Sequence, residues 1–225
     1  MNQEHEENGG RLVRRLWVRA WAASAAATAF GCLYFFVRQY LKDGIWEFDL
    51  GLINKSLGVA ALFLLSLSMF LTGVAYFSNR SARPLAFRKH CGLVGFWTGL
   101  IHGAVNHFLL PLAGLHAERE VEAWISDGPA LAALALFGAM AFLSGPSPKE
   151  RLGGRVWRRT LRYAGYVGLG LSIGHTALLK GASWANYFRT FRSVIPSLSL
   201  PVAAFAAAAI ILRLAVWVSQ RRDRP

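Results

Sequence analysis

Ile53–Phe77, which reads INKSLGVAALFLLSLSMFLTGVAYF, decides the class of fold. Between Lys55 and Arg80 no charged residue interrupts it. A bilayer core of about 30 Å is spanned by roughly 20 apolar residues in a helix. Inside lipid no water satisfies backbone N–H and C=O groups, so a spanning segment is either a helix or a closed-barrel strand. The stretch lacks the period-two alternation of a barrel strand, and its length suits a helix.

Working outward, similar stretches run over 16–37, 90–112, 129–144, 162–179 and 197–218. Polar clusters separate them. Arg11, Arg14, Arg15 and Arg19 lead into the first, and Arg38, Lys42, Asp43, Glu47 and Asp49 follow it. Pro111 and Gly114 stop the third, and Gly145, Pro146 and Pro148 stop the fourth. The expected fold class is all-α, a polytopic six-transmembrane-helix bundle over 16–218, flanked by a polar tail at 1–15 and a basic tail at 219–225. The segment up to Gly10 is acidic and expected to be disordered. The fourth stretch is short for a full crossing, which predicts a thin or tilted span. Aromatic, polar 180–195 is expected to lie in the membrane interface. The first span follows a basic run, but its length and aromatic end suit a retained helix rather than a signal peptide.

Composition agrees. Apolar residues make up 54% of the chain and charged residues 16%, against about 25% charged in a soluble domain. The net charge of +13 sits in loops, which favours a topological role over nucleic-acid binding. Loop 78–90 carries Arg80, Arg83, Arg88 and Lys89 with no acidic residue. Loop 145–162 carries Lys149, Arg151, Arg155, Arg158, Arg159 and Arg162 against Glu150 alone. The tail has Arg221, Arg222 and Arg224. Between these, the loop with Glu118, Glu120, Glu122 and Asp127 is acidic. The positive-inside rule therefore places both termini and the basic loops in the cytoplasm, although Lys180, Arg189 and Arg192 fall on the outer side. Cys32 and Cys91 form no recognisable disulfide framework.

Ionisable residues within spans are rare and usually functional. His102 lies in the middle of the third span and His175 in the fifth. Counted from Arg88 and Arg162, they are about 14 and 13 residues in, roughly 20 Å at 1.5 Å per residue. Two histidines at one height on different helices can face each other across a flat cofactor. Gly103 and Gly174 beside them would let a planar ring approach. The plainer alternative is an interhelical hydrogen bond or a small wet cavity. Bis-imidazole ligation of haem iron needs only these two nitrogens. His107, five residues on, would sit about 140° round an α-helix and face another neighbour or a haem edge. His116, His90 and His5 read as solvated surface residues.

The motifs Phe87-Arg88-Lys89, Gly92, Trp97 and Leu100-Ile101-His102, with Trp157-Arg158-Arg159-Thr160-Leu161-Arg162, Tyr166 and His175, resemble the ferric reductase-like transmembrane domain superfamily. That superfamily includes NADPH oxidases, STEAP metalloreductases and the haem-binding membrane subunit of methionine sulfoxide reductase systems. Its two-haem members carry a histidine pair on each of these helices. Here His102 and His175 match the outer pair, whereas Arg88 and Arg162 stand where the inner pair would be. The resemblance implies a single-haem protein with one haem b held by His102 and His175 as axial ligands. Arg88 and Arg162 read either as ordinary positive-inside charge or, with Arg158 or Arg159, as holders of a flavin phosphate (FMN or FAD), a quinone headgroup or an anionic partner at the cytoplasmic face. Arg213 is expected to snorkel towards headgroups.

The resulting expectation is a haem-binding electron-transfer subunit of an oxidoreductase, in the bacterial inner membrane. Gly168-x-Gly170-xxx-Gly174 lies in an apolar span without the strand that a dinucleotide site needs, and is expected to serve helix packing. Electrons would come from a separate flavoprotein, a bound flavin or a quinol, and pass to an outer-side acceptor such as an oxidoreductase partner. The alternative is a non-redox transporter or scaffold whose histidines bind protons or metal.

Overall fold

The computed structural model describes residues 2–44, 46–78, 83–115, 121–191 and 195–222. Arg80, His116, Glu118, Arg119, Glu120, Arg192 and Arg224, on which expectations were placed, lie outside them. The elements in chain order are α1 (Asn2–Asp43), α2 (Leu50–Ser78), α3 (Arg83–Ala104), a π-helical turn (Val105–Leu109), α4 (Leu110–Leu112), α5 (Val121–Leu143), α6 (Pro146–Leu152), α7 (Gly154–Thr190) and α8 (Ser199–Arg222). Among the described residues five stretches are long and apolar enough to cross a membrane: Gly10–Asp43, Leu50–Ser78, Leu85–Leu112, Ile125–Leu143 and Ser199–Arg221. Large apolar side chains face outward on them, with Phe142 78% and Ile211 65% exposed, as lipid contact requires. The chain is an all-helical, multi-pass membrane protein. At 37 residues, or about 55 Å at 1.5 Å per residue, α7 has ample length, but its run beyond Arg162 is diluted by Tyr163, Tyr166, His175 and four glycines.

α2 is the axis of the bundle. Its Leu62, Leu65 and Met69 pack with Ala133 and Phe137 of α5, Leu169 of α7 and Ala206 and Ala209 of α8. On its other side Leu64 meets Ala20 of α1 and Val94 of α3. Small and hydroxylated residues let these helices approach, as is usual where lipid supplies no hydrophobic drive. Ser24 on α1 and Thr98 on α3 share a buried hydrogen bond of 2.8 Å. Gly168 of α7 lies against the Phe137 ring, whereas Gly170 and Gly174 meet nothing within 4 Å. Of the three glycines expected to mediate packing, only Gly168 does so.

Three boundaries differ from expectation. α1 begins at Asn2, not after Gly10. The fourth span is not short, because α5 starts at Val121 and carries Pro129 inside the helix. Lys180–Thr190 is not a separate connector but the continuation of α7, which ends where Phe191 adopts a left-handed φ of 47°. Leu178, Leu179, Ala182 and Ala185 favour helix there, and the next proline is Pro196.

Candidate functional site

α2, α3, α5 and α7 enclose a cavity of about 940 Å³ towards the end of the bundle where α1 finishes and α2 begins. This is near the upper limit of ordinary cofactor pockets, roughly 300–1,000 Å³. His102 and His175 both line it, close enough to influence one another electrostatically. Its walls include the apolar Leu62, Leu65, Phe96, Leu134 and Phe137.

Each histidine is oriented by another helix. His102 Nδ1 lies 3.0 Å from the main-chain oxygen of Asn54 and 2.9 Å from its Oδ1. His175 Nδ1 lies 3.0 Å from the carbonyl oxygen of Ser126. A carbonyl oxygen can only accept, so both Nδ1 atoms carry the proton and donate it. A neutral imidazole then keeps its lone pair on Nε2. Anchoring one ring nitrogen on a carbonyl while the other serves as ligand is the usual arrangement of metal-bound histidine.

The local sequence explains both anchors. Pro129 has no N–H to offer the carbonyl of Ile125, and its ring crowds that group. The next carbonyl along α5, that of Ser126, meets His175. On α2, Gly58 permits the His102 ring to lie against the backbone: a Cβ there would come within 3.0 Å of Cε1 and Nε2. Asn54, Gly58 and Ser126 did not emerge from the sequence, since each acts on a histidine about fifty residues away. Gly103 lines the cavity, but Gly174 does not, so only one of the two glycines expected beside a planar ring is at the wall.

The π turn Val105–Leu109 also bears on the site. Its wider turn brings residues nearly five apart into register. His107 therefore lines the same cavity as His102 rather than pointing a third of a turn away. At the mouth Arg38, Lys42, Lys55 and Lys180 join Asp43 and Asp49. Lys180 is within electrostatic reach of Lys55 and Arg38. Arg38 also donates to the carbonyl of Ile195 at 3.3 Å, and Tyr34 Oη to that of Pro196 at 2.9 Å, which ties α1 to the α7–α8 connection.

His90 is buried rather than solvated. Its ring meets Trp17 of α1 edge-on at 5.0 Å, and its Nδ1 lies 3.0 Å from the carbonyl of Ala86. Trp17, two residues before the last arginine of the N-terminal run, covers it. Arg88 and Arg162 are brought together at the opposite, arginine-rich end of the bundle, where Arg213 joins them. Arg213 is within electrostatic reach of Arg162 and Tyr166 and of Arg88. Among the described residues no three of His, Cys, Asp or Glu form a metal-holding group. Cys32 and Cys91 are free thiols.

No protein-family model matches this chain, and neither does any curated protein.

Proposed function

We propose that this chain is a six-span membrane electron-transfer subunit that holds one b-type haem between His102 and His175. One observation carries the reading: both Nδ1 atoms donate to main-chain carbonyls, which leaves each Nε2 with its lone pair, and the two histidines, from α3 and α7, line a single cavity. Those are the two donors that six-coordinate haem iron needs. Gly58 makes room for the His102 ring, and the cavity volume is adequate for a macrocycle. The resemblance to the ferric reductase-like superfamily selects the same pair.

Haem bound there would supply a ferric–ferrous couple that takes and gives one electron at a time. The chain's own residues do the rest. Asn54 and Ser126 hold the imidazoles in one tautomer and orientation. Phe96, Leu134 and Phe137 give the cavity apolar walls, which favours electron transfer over side reactions with solvent. Arg38, Lys55 and Lys180 bring positive charge to the mouth, where propionate carboxylates would need it. At the opposite end Arg88 and Arg162 suit a flavin phosphate or a quinol headgroup, and so an electron donor.

Counting α7 as a crossing follows from its length, its lengthwise packing on α5 and the depth at which it carries His175. With six spans the termini share a side, and the positive-inside rule makes that side cytoplasmic. Electrons would then pass from a cytoplasmic flavoprotein, flavin or quinol to an outer-side oxidoreductase or other acceptor, across a bacterial inner membrane.

The test is an absorbance spectrum of the full chain purified after expression with haem precursor. The expected result is a Soret band, with sharp α and β bands on dithionite reduction, lost in both His102→Ala and His175→Ala. A colourless wild type would overturn the reading and favour the non-redox alternative. Colour lost only in His107→Ala would overturn the ligand pair.

A further inference from the structure

A second constellation occupies the arginine-rich end, separate from the histidine cavity. Residues 68–73 of α2 meet three other helices there. Ser68 Oγ donates to the main-chain carbonyl of Arg88 on α3 at 2.9 Å. A Cβ on Gly165 of α7 would run into the Met69 side chain, and one on Gly73 would run into Leu212 of α8. Arg88, Tyr166 and Arg213 are those contact residues or their immediate neighbours, so all three lie at one level of the bundle. The Tyr166 hydroxyl and Thr72 Oγ1 are buried at this level without a hydrogen-bond partner. Buried polar atoms of native proteins are nearly always satisfied, and an exception calls for a missing group.

The charges point the same way. Arg88 and Arg213 lie within electrostatic reach of each other, of Arg162 and of Tyr166. No carboxylate of the described residues belongs to the set. Cations within the membrane normally pair with an opposite charge or a water-filled cavity. Arg88 and Arg213 are half-buried, whereas Arg162 is exposed, which leaves the cluster open on one side.

We propose that Arg88, Arg162 and Arg213, with the hydroxyls of Tyr166 and Thr72, form a binding site for a phosphate group. Guanidinium forks match pairs of phosphate oxygens. A carboxylate has two oxygens and one charge, too few for three guanidiniums and two hydroxyl donors. A phosphate ester offers more acceptor oxygens and, as a monoester, up to two charges. The phosphate can belong to a soluble nucleotide such as a flavin mononucleotide, or to the headgroup of an anionic phospholipid. This site extends the anion-holding reading of Arg88 and Arg162 by three residues. It does not depend on haem, so a colourless protein would leave it standing.

Two arms of one experiment distinguish the sources. In the first, purified full chain in neutral detergent is titrated with flavin mononucleotide and, separately, with riboflavin, which lacks the phosphate. In the second, the chain is taken through native mass spectrometry from nanodiscs of phosphatidylglycerol or phosphatidylcholine. Arg213→Gln, Arg88→Gln and Tyr166→Phe are compared with wild type, each checked for a monodisperse elution profile. Binding of the mononucleotide but not riboflavin, weakened at least tenfold in Arg213→Gln and severalfold in Tyr166→Phe, supports a nucleotide phosphate. Selective retention of phosphatidylglycerol, lost in the same variants, supports a lipid phosphate. Tyr166→Phe keeps the ring, so it guards against mere misfolding: it should diminish the ligand-induced rise in melting temperature without lowering the ligand-free value. The site is refuted if neither ligand is held, if riboflavin binds as tightly as the mononucleotide, or if binding survives in well-behaved arginine variants.

Discussion

At the scale of single residues, the two histidines matter because of what fixes them. Gly58 is the most sensitive neighbour. Gly58→Ala places a methyl about 3.0 Å from the His102 ring, and overpacking of this kind typically costs about 1–3 kcal/mol. The expected outcome is a haem content well below wild type at equal expression, measured by haemochrome assay; full loading would show that the ring is free to move. Asn54→Ala leaves the main-chain carbonyl in place and removes only Oδ1. Because an acceptor at Nδ1 strengthens the donor character of Nε2, losing part of it should destabilise the ferric form and raise the reduction potential. A spectroelectrochemical titration reads this directly, and an unchanged or lowered potential would contradict the role given to Asn54. His102 and His175 stood out in the sequence because a lone ionisable group in an apolar run is conspicuous and its depth can be counted. Asn54, Gly58 and Ser126 did not, because an asparagine, a glycine or a main-chain carbonyl gains its meaning only from the helix packed against it.

At the scale of elements, the proline in α5 has two opposed effects. It removes a backbone donor, an interior cost of around 3 kcal/mol, yet by freeing the Ile125 carbonyl it would let the turn beside it adjust and present the Ser126 carbonyl to His175. Pro129→Ala should therefore raise the thermal stability of the haem-free protein while speeding haem loss to an acceptor such as apomyoglobin. If both stability and haem retention rise, the Ser126 carbonyl does not depend on the proline. The same proline misled the sequence reading of the fourth span: taken as a helix start, it hid the turns from Val121 to Gly128. The continuation of α7 to Thr190 was obscured differently. Its Trp184, Tyr187, Phe188 and Arg189 look interfacial by composition, yet nothing in them stops a helix. The π turn at Val105–Leu109 carries no local signature, so the cavity position of His107 was equally out of reach.

At the scale of the whole molecule, the apolar runs and the clustered arginines made an all-helical, multi-pass architecture legible, since both follow from exclusion of charge from lipid. The number of crossings turns on α7, whose composition is less apolar than its neighbours. A sixth crossing puts the termini on one side. Fluorescent reporters that mature only in the cytoplasm should light at both ends and stay dark when inserted at Gly114, between α4 and α5. Fluorescence at one terminus alone would leave five crossings. The most direct measurement of the central claim is the haem-to-protein ratio of the purified full chain by pyridine haemochrome, with His102→Ala and His175→Ala alongside. The expected result is one b-type haem per chain and none in either variant; no haem, two haems, or a variant that retains wild-type loading would contradict it.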